Sequence, residues 1–504
     1  MARCAALLAS AIALTPLRGE AALGPESPLK LATGWQLQSS AKLPAGGEAL
    51  SVPGYDAAGW SAVTVPNTVV GALAENGTYP DPYFGTNLRS IPGTTYPIGA
   101  RFTPLPTPAE SPFKPSWWYR TEFDLPARMA GRTVFLRFHG INYRASLWLN
   151  GSLVAGPGEI VGTFRRYELD VTARVRPGRR NALAVEVTGP GPEDLAITWV
   201  DWNPTPADKN MGLWGPVSVA ESGPLAVRHP HVTSTFAGSS PEVAELTVTT
   251  EVSNTTDRPR SGVVRGTIED VRFERRVSLA ARERLSLRFT PAELPQLRLA
   301  HPRLWWPYRM GAQELYTLSI EALVDGEASD RQETRFGIQQ MTSELTAAGH
   351  RLFKVNGKPI LIRGGGWASD MLLRTPSRSR LEAELRYTKE MGLNTIRLEG
   401  KLESDEFYDL ADEMGILVMP GWCCCDQWET WDKWDEEDHE VAPASLRDQI
   451  LRLRNHPSVL VWLNGSDKAP PAPVEKAYLD VLAALGWDRP VLSNATEAPG
   501  PVSG

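Results

Sequence analysis

Five carboxylates stand where short apolar runs end. Asp467 closes "VLVWLNGSD", Glu399 closes "TIRLEG", and Asp370 follows "GGGWAS"; Asp426 and Glu429 lie in "CCCDQWE", behind "ILVMPGW". Each run reads as a buried strand, because its apolar residues are continuous and stop at Gly, Asn or Pro. Acids at the tips of neighbouring strands can move protons to and from a bond held between them. Such chemistry usually takes two carboxyl groups, so Asp467 raises the question of its partner. Trp367, Trp422 and Trp428 accompany the acids. An indole face stacks on the C–H groups of a sugar ring, and surplus negative charge suits a sugar that carries a cation. Each group also has a plainer reading. Loop acids cap helices or are solvated, and most tryptophans pack in cores or domain interfaces.

The elements that position these residues alternate in type from about Gly349 onward. "ILIRG" (360–364), "TIRLEG" (395–400), "ILVMPGW" (416–422), "SVLVWLNGSD" (458–467) and "PVLSNAT" (490–496) are predicted strands. Amphipathic helices are predicted over 379–392, 404–415 and 442–457. Repeated strand–helix units imply a parallel sheet, open or closed as a barrel, and in a barrel the site lies at the C-terminal strand ends. The five acids then face one pocket. No GxGxxG or P-loop follows the first strand, which argues against a nucleotide.

The earlier chain is patterned as all-β. "WWYRTEFDL" (117–125), "RTVFLRFHGI" (132–141), "RASLWLNG" (144–151) and "NALAVEVT" (181–188) alternate apolar and polar residues. Asn150-Gly151 marks a tight hairpin. These place a β-sandwich over 25–222. "ELTVTTEVSN" (245–254), "SGVVRGTIED" (261–270) and "LSLRFT" (285–290) place a second, immunoglobulin-like sandwich over 223–338, leaving 339–504 for the parallel sheet.

The chain has 504 residues, 42% hydrophobic and 22% charged, with a formal net charge of −7. That length implies roughly three domains. The acidic balance argues against nucleic acid as a partner, since phosphate binding needs a basic face. Seventeen tryptophans are many for this length. Residues 1–24 read as a secretory signal peptide: Arg3, a short apolar run from Cys4 to Leu14, then small residues. No apolar run is long enough to span a bilayer, so the expected location is secreted or periplasmic rather than membrane-bound. The other cysteines are Cys423, Cys424 and Cys425. Without nearby histidine they make a poor zinc site; one could pair with a neighbour in an exported protein, but their number excludes a disulfide framework, and they read as loop packing.

Taken together, "DWNPTPADKNMGLWGPV" (201–217), "LWWPYRMGAQELYTL" (304–318), "VNGKPILIRGGGWASDMLLR" (355–374), "MGLNTIRLEG" (391–400), "MPGWCCCDQWE" (419–429) and "GSD" (465–467) resemble glycoside hydrolase family 2. Within it they resemble the exo-β-D-glucosaminidases that act on chitosan. These stretches run in order over nearly everything after the signal peptide. Most relatives end strand four with Asn-Glu, whereas the glucosaminidases carry Ser-Asp, as Ser466-Asp467 do here. One departure is Cys423, where relatives are expected to carry an acid.

The resemblance implies a sugar-binding-type jelly roll, an immunoglobulin-like domain and a TIM barrel, with no metal or organic cofactor. It implies that Asp467 is the general acid/base and that Glu399, helped by Asp370, binds the C2 ammonium of a terminal glucosamine. Ser466 of the Ser-Asp pair, and Trp422, Asp426, Trp428 and Glu429 from the strand-tip reading, are expected to line the same sugar site. The implied mechanism is retaining, with two carboxyl groups about 5–5.5 Å apart. The family's nucleophile is a glutamate at the end of strand seven. Leu352 to Gly504 is roughly 150 residues, against about 250 for a whole barrel. The expectation is therefore a fragment that carries no nucleophile and is inactive alone; Glu497, in a Pro/Gly-rich loop, is a poor substitute. Two alternatives stay open: a β-mannosidase or β-galactosidase of the same family, and a non-catalytic carbohydrate-binding protein built on the two sandwiches.

Overall fold

A computed structural model describes residues 27–93, 105–197, 204–238, 240–399, 401–424 and 426–496. The signal-peptide segment, Cys4, Cys425 and Glu497 lie outside the described residues.

The first unit is a two-sheet β-sandwich. Six strands pair antiparallel in the order Ser61–Val63, Trp35–Ser39, Trp117–Asp124, Arg180–Thr188, Arg144–Leu149 and Ser152–Ala155. Four more, Leu29–Lys30, Val217–Ser222, Thr133–Phe138 and Tyr167–Asp170, form the facing sheet. The predicted hairpin is present. Asn150 and Gly151 both adopt positive φ, 52° and 86°, the backbone that a two-residue turn between twisted strands requires. Trp35, Tyr119, Leu136, Leu147 and Val185 fill the space between the sheets.

The second sandwich pairs Leu225–Phe236, Val243–Asn254 and Arg284–Phe289 against Val271–Leu279, Arg260–Ile268, Tyr316–Val324 and Glu327–Phe336. Val243–Asn254 alternates strictly between buried and half-buried residues along its twelve positions. Period-two alternation places every second side chain in the core, which is why this unit was legible from the sequence.

Five parallel strands follow. They are β1 (Gly364–Trp367), β2 (Thr395–Leu398), β3 (Leu417–Met419), β4 (Trp462–Leu463) and β5 (Val491–Leu492). β1, β2 and β3 pair in order, β4 pairs with β5, and single parallel bridges Val418–Val459 and Gly421–Leu463 join the two groups. The helices are α1 (Arg378–Glu390), α2 (Asp405–Met414), α3 (Glu436–Leu453) and α4 (Ala472–Ala484). Ser377 and Ser404 cap α1 and α2 through their side chains, and Gly415 ends α2 in the left-handed conformation at φ 72°.

Two predicted elements shift. "ILIRG" is not one strand. Lys358–Ile360 closes an antiparallel hairpin with Arg351–Val355, and the parallel strand begins only at Gly364. The third predicted helix begins six residues early, at Glu436. A capping box between Asp435 and Asp438 starts it, and Pro443 is carried inside it.

The first sandwich docks on the helical layer. Arg144 binds both oxygens of Glu437, at 2.6 and 2.5 Å, and Asp194 at 2.8 Å. Arg165 Nε donates to Asp448 and Gln449 Nε2 to the Phe164 carbonyl. Among the described residues, no helix is long and apolar enough to cross a membrane.

Candidate active site

β2 ends at Leu398, so Glu399 is the first residue beyond the paired strand. β4 ends at Leu463, and Asn464-Gly465-Ser466-Asp467 continue from it. The two tips meet. Ser466 Oγ donates to Glu399 Oε1 at 2.7 Å. Arg397 lies two residues before Glu399, and its Nη2 donates to Ser466 Oγ at 3.2 Å. Carboxylate oxygens of Glu399 and Asp467 and the sulfur of Cys424 all lie within 4.8 Å of one another. A cavity of about 990 Å³ opens over this cluster, walled by Arg397, Glu399, Met419, Leu463, Ser466 and Asp467 among others. Glu399 is half-buried and Asp467 exposed, so both carboxylates can meet a ligand.

Asp467 is held from behind. The 3-10 turn Gln427–Glu429 follows β3 and carries Glu429 beneath the end of β4. Glu429 Oε1 accepts three consecutive backbone N–H groups, from Ser466 at 2.8 Å, Asp467 at 2.7 Å and Lys468 at 3.1 Å. Glu429 is 6% exposed. Burial pushes its carboxyl up, the three N–H donors pull it back, and the Asp467 charge adds to the rise. The turn is itself anchored. Gln427 Nε2 donates to Asp438 at 2.7 Å and Trp434 Nε1 to the Gln427 carbonyl at 2.7 Å.

The remaining predicted site residues lie elsewhere. Trp422 and Trp428 are 1% and 2% exposed. They stack on each other at 4.4 Å, both pack against Phe164, and Trp428 Nε1 donates to the Ala196 carbonyl. Neither keeps a face for a sugar; they join the parallel unit to the first sandwich. Asp426 is buried, and its carbonyl accepts from Thr430 Oγ1 and Glu429 N to close the turn. Trp367 leans on Phe407 and donates to Glu403.

Asp370 does not join Glu399. Its Oδ1 accepts from Tyr83 Oη at 2.7 Å and from the N–H groups of Leu372 and Arg374. Arg374 stacks over the Tyr83 ring at 4.5 Å. Asp370 lines a separate cleft of about 450 Å³ with Asn67, Glu75, Arg374 and Arg380, between the first sandwich and α1.

Sequence reasoning did not single out Arg397 and read Cys424 as loop packing. Arg397 had a readable signal, because residues i and i+2 share a strand face. Burial lowers its pKa, while Glu399, Cys423, Glu429 and Asp467 hold it up. The cysteines do more than fill a loop. Cys423 is a buried thiol outside any disulfide, and Cys424 is disulfide-bonded. A disulfide sulfur is no thiolate, so the cluster offers a metal two carboxylates only. Two carboxylates this close suit one compact cation, such as an ammonium group, and Asp467 can exchange a proton with a group bound beside it.

Comparison with known proteins fits this geometry. The model for glycosyl hydrolases family 2 matches residues 225–339, that for the family's galactose-binding domain-like unit residues 110–198, and that for its TIM barrel domain residues 347–491. The chain belongs to glycoside hydrolase family 2. It is 41% identical over 480 residues to the exo-beta-D-glucosaminidase of Streptomyces avermitilis, covering 94% of this chain and 51% of that one. It is 31% identical over 495 residues to the mannosylglycoprotein endo-beta-mannosidase of Lilium longiflorum, covering 89% and 49%. The crystal structure of the Amycolatopsis orientalis exo-chitosanase CsxA superposes with a TM-score of 0.86 at 35% identity, covering 95% of this chain and 54% of that one. The chain thus spans about half the length of these relatives. Its two sandwiches and parallel sheet correspond to the family's galactose-binding-like, immunoglobulin-like and TIM barrel units.

Proposed function

We propose that this glycoside hydrolase acts as an exo-β-D-glucosaminidase, releasing β-linked glucosamine from the non-reducing end of chitosan or its oligosaccharides. The observation that carries this reading is the paired tip of β2 and β4. Glu399 and Asp467 come within 4.8 Å over an open cavity, with Ser466 fixing Glu399. In this reading Asp467 protonates the glycosidic oxygen and later draws a proton from water, and Glu399 pairs with the C2 ammonium. The similarity to named exo-beta-D-glucosaminidases supports it.

A retaining reaction needs a second carboxylate to attack the anomeric carbon. In this reading Glu399 is given to the C2 ammonium, and Glu429 is buried and committed to three backbone donors, so we assign the nucleophile to neither. The family resemblance puts it at the end of a seventh strand, beyond the five described here. A polymeric, extracellular substrate accords with a secreted or periplasmic location, supported by the signal-like residues 1–24.

The test is turnover by the protein as purified from its native source, on aryl β-glucosaminide, β-mannoside and β-galactoside at equal concentration. Glucosaminide should be cleaved fastest, with a β-configured first product. Preference for either neutral glycoside would move the assignment to another member of the family. Binding of chitosan oligosaccharides without any turnover would favour a carbohydrate-binding role.

A further inference from the structure

The residues of "CCCDQWE" look from their sequence like sugar ligands. Glu429 is buried, does not line the cavity, and spends one oxygen on three successive N–H groups of the segment that carries Asp467. Three amide dipoles converging on one carboxylate oxygen form a charge-assisted cradle, stronger than bonds between neutral groups. Asp467 itself is exposed on a loop beyond a two-residue strand, and the cradle fixes the backbone from which its carboxyl projects.

We propose that Glu429 is a positioning residue for proton transfer: it holds the backbone of Ser466, Asp467 and Lys468 so that the Asp467 carboxyl reaches the leaving-group oxygen, and it does not contact the sugar. The proposal rests on the acid/base role given to Asp467 above. It also explains why the turn is itself anchored. Gln427 ties the turn to Asp438 of α3, and Trp434, just before that helix, donates to the Gln427 carbonyl, so the position of Asp467 is referred to a helix rather than to a free loop.

The test uses the native-length enzyme and the variants Glu429→Gln and Glu429→Ala. Gln keeps an acceptor oxygen at the same reach without the charge; Ala removes the cradle. Chitobiose has a poor leaving group that must be protonated, whereas p-nitrophenyl β-glucosaminide releases a stable anion and leans less on the acid. Glu429→Ala should lower kcat on chitobiose by about 10²-fold, within the range for loss of acid assistance. On the p-nitrophenyl substrate the loss should be markedly smaller, with KM little changed on both. Glu429→Gln should recover part of the chitobiose rate. Amide hydrogen exchange at Ser466, Asp467 and Lys468 should speed up in Ala and less in Gln.

A raised KM, or equal losses on both substrates, would overturn the proposal in favour of a sugar contact or a general structural defect. Should the unaltered enzyme turn over neither substrate, the glycosidase reading itself fails. Amide exchange then decides the cradle alone, and unchanged exchange in Glu429→Ala overturns it.

Discussion

The tips of β2 and β4 and the tip of β1 carry the same chemical group in different surroundings. Glu399 and Asp467 face a cavity of about 990 Å³, and Glu399 takes one side-chain hydrogen bond, from Ser466. Asp370, just past β1, accepts from Tyr83 and two backbone N–H groups and lies beside Arg374. Glu399 keeps acceptor capacity for a ligand; Asp370 gives one oxygen to Tyr83, which ties the first unit to the parallel one, and to two N–H groups of its own loop. Glu429 shows the same division inside the site, since it lies under Asp467 yet serves three backbone donors. The position of an acid at a strand tip therefore does not decide whether it works or holds. Among Glu399, Asp370 and Glu429, the count of internal donors does.

The comparison can be broken at several points. Asp467→Ala should lower turnover of chitobiose by about 10²–10⁴-fold, the range for a general acid, while leaving the unfolding midpoint near that of the parent. An unaltered rate would remove Asp467 from the chemistry. Trp428→Ala should instead act on stability, costing about 3–5 kcal/mol in urea unfolding, because it opens the stack with Trp422 and strands the Ala196 carbonyl. Were Trp428 a sugar platform, stability would hold and KM would rise.

Smaller effects sharpen the contrast. Tyr83→Phe removes the hydroxyl on Asp370 and should cost about 1 kcal/mol, with kcat/KM on aryl glucosaminide within about twofold. A large loss of turnover would bring Asp370 back to the substrate. Asp438, which anchors the Glu429 turn, is pushed up to about 6, chiefly by burial. Its unfolded carboxyl titrates near 3.9. Between roughly pH 4 and 6 the folded state therefore binds the extra proton, and this contribution to stability falls as pH rises through that window. Melting temperatures of the parent and Asp438→Asn should converge or cross as pH goes from 4.5 to 6.5; a constant difference would show that Asp438 does not titrate there.

Much of the architecture was legible because it rests on local pattern. Val243–Asn254 alternates, Asn150-Gly151 turns, and Ser404 and Gly415 bracket α2. The start of β1 was not legible, because Gly364-Gly365-Gly366 has no side-chain period to read. In the site, Glu399 and Asp467 were legible as ends of apolar runs, and Ser466 only through the family resemblance. The fate of Asp370 was not, since its partner Tyr83 is 287 positions away. Nor was that of Glu429, whose partners are backbone amides and leave no mark in the sequence. Trp422 and Trp428 were misread as ligands because an aromatic residue beside an acid looks alike in a core and in a sugar site.

The central claim is that the Glu399 carboxylate selects a cationic sugar. The most direct measurement is kcat/KM of the native-length enzyme and of Glu399→Gln on an aryl β-glucosaminide and on the matching aryl β-glucoside, which differ only in the C2 group. The account predicts a strong preference for the glucosaminide in the parent, and its collapse by about tenfold or more in Glu399→Gln, as expected when a charge-assisted bond is lost, with the glucoside rate little changed. An unchanged preference in the variant would contradict it.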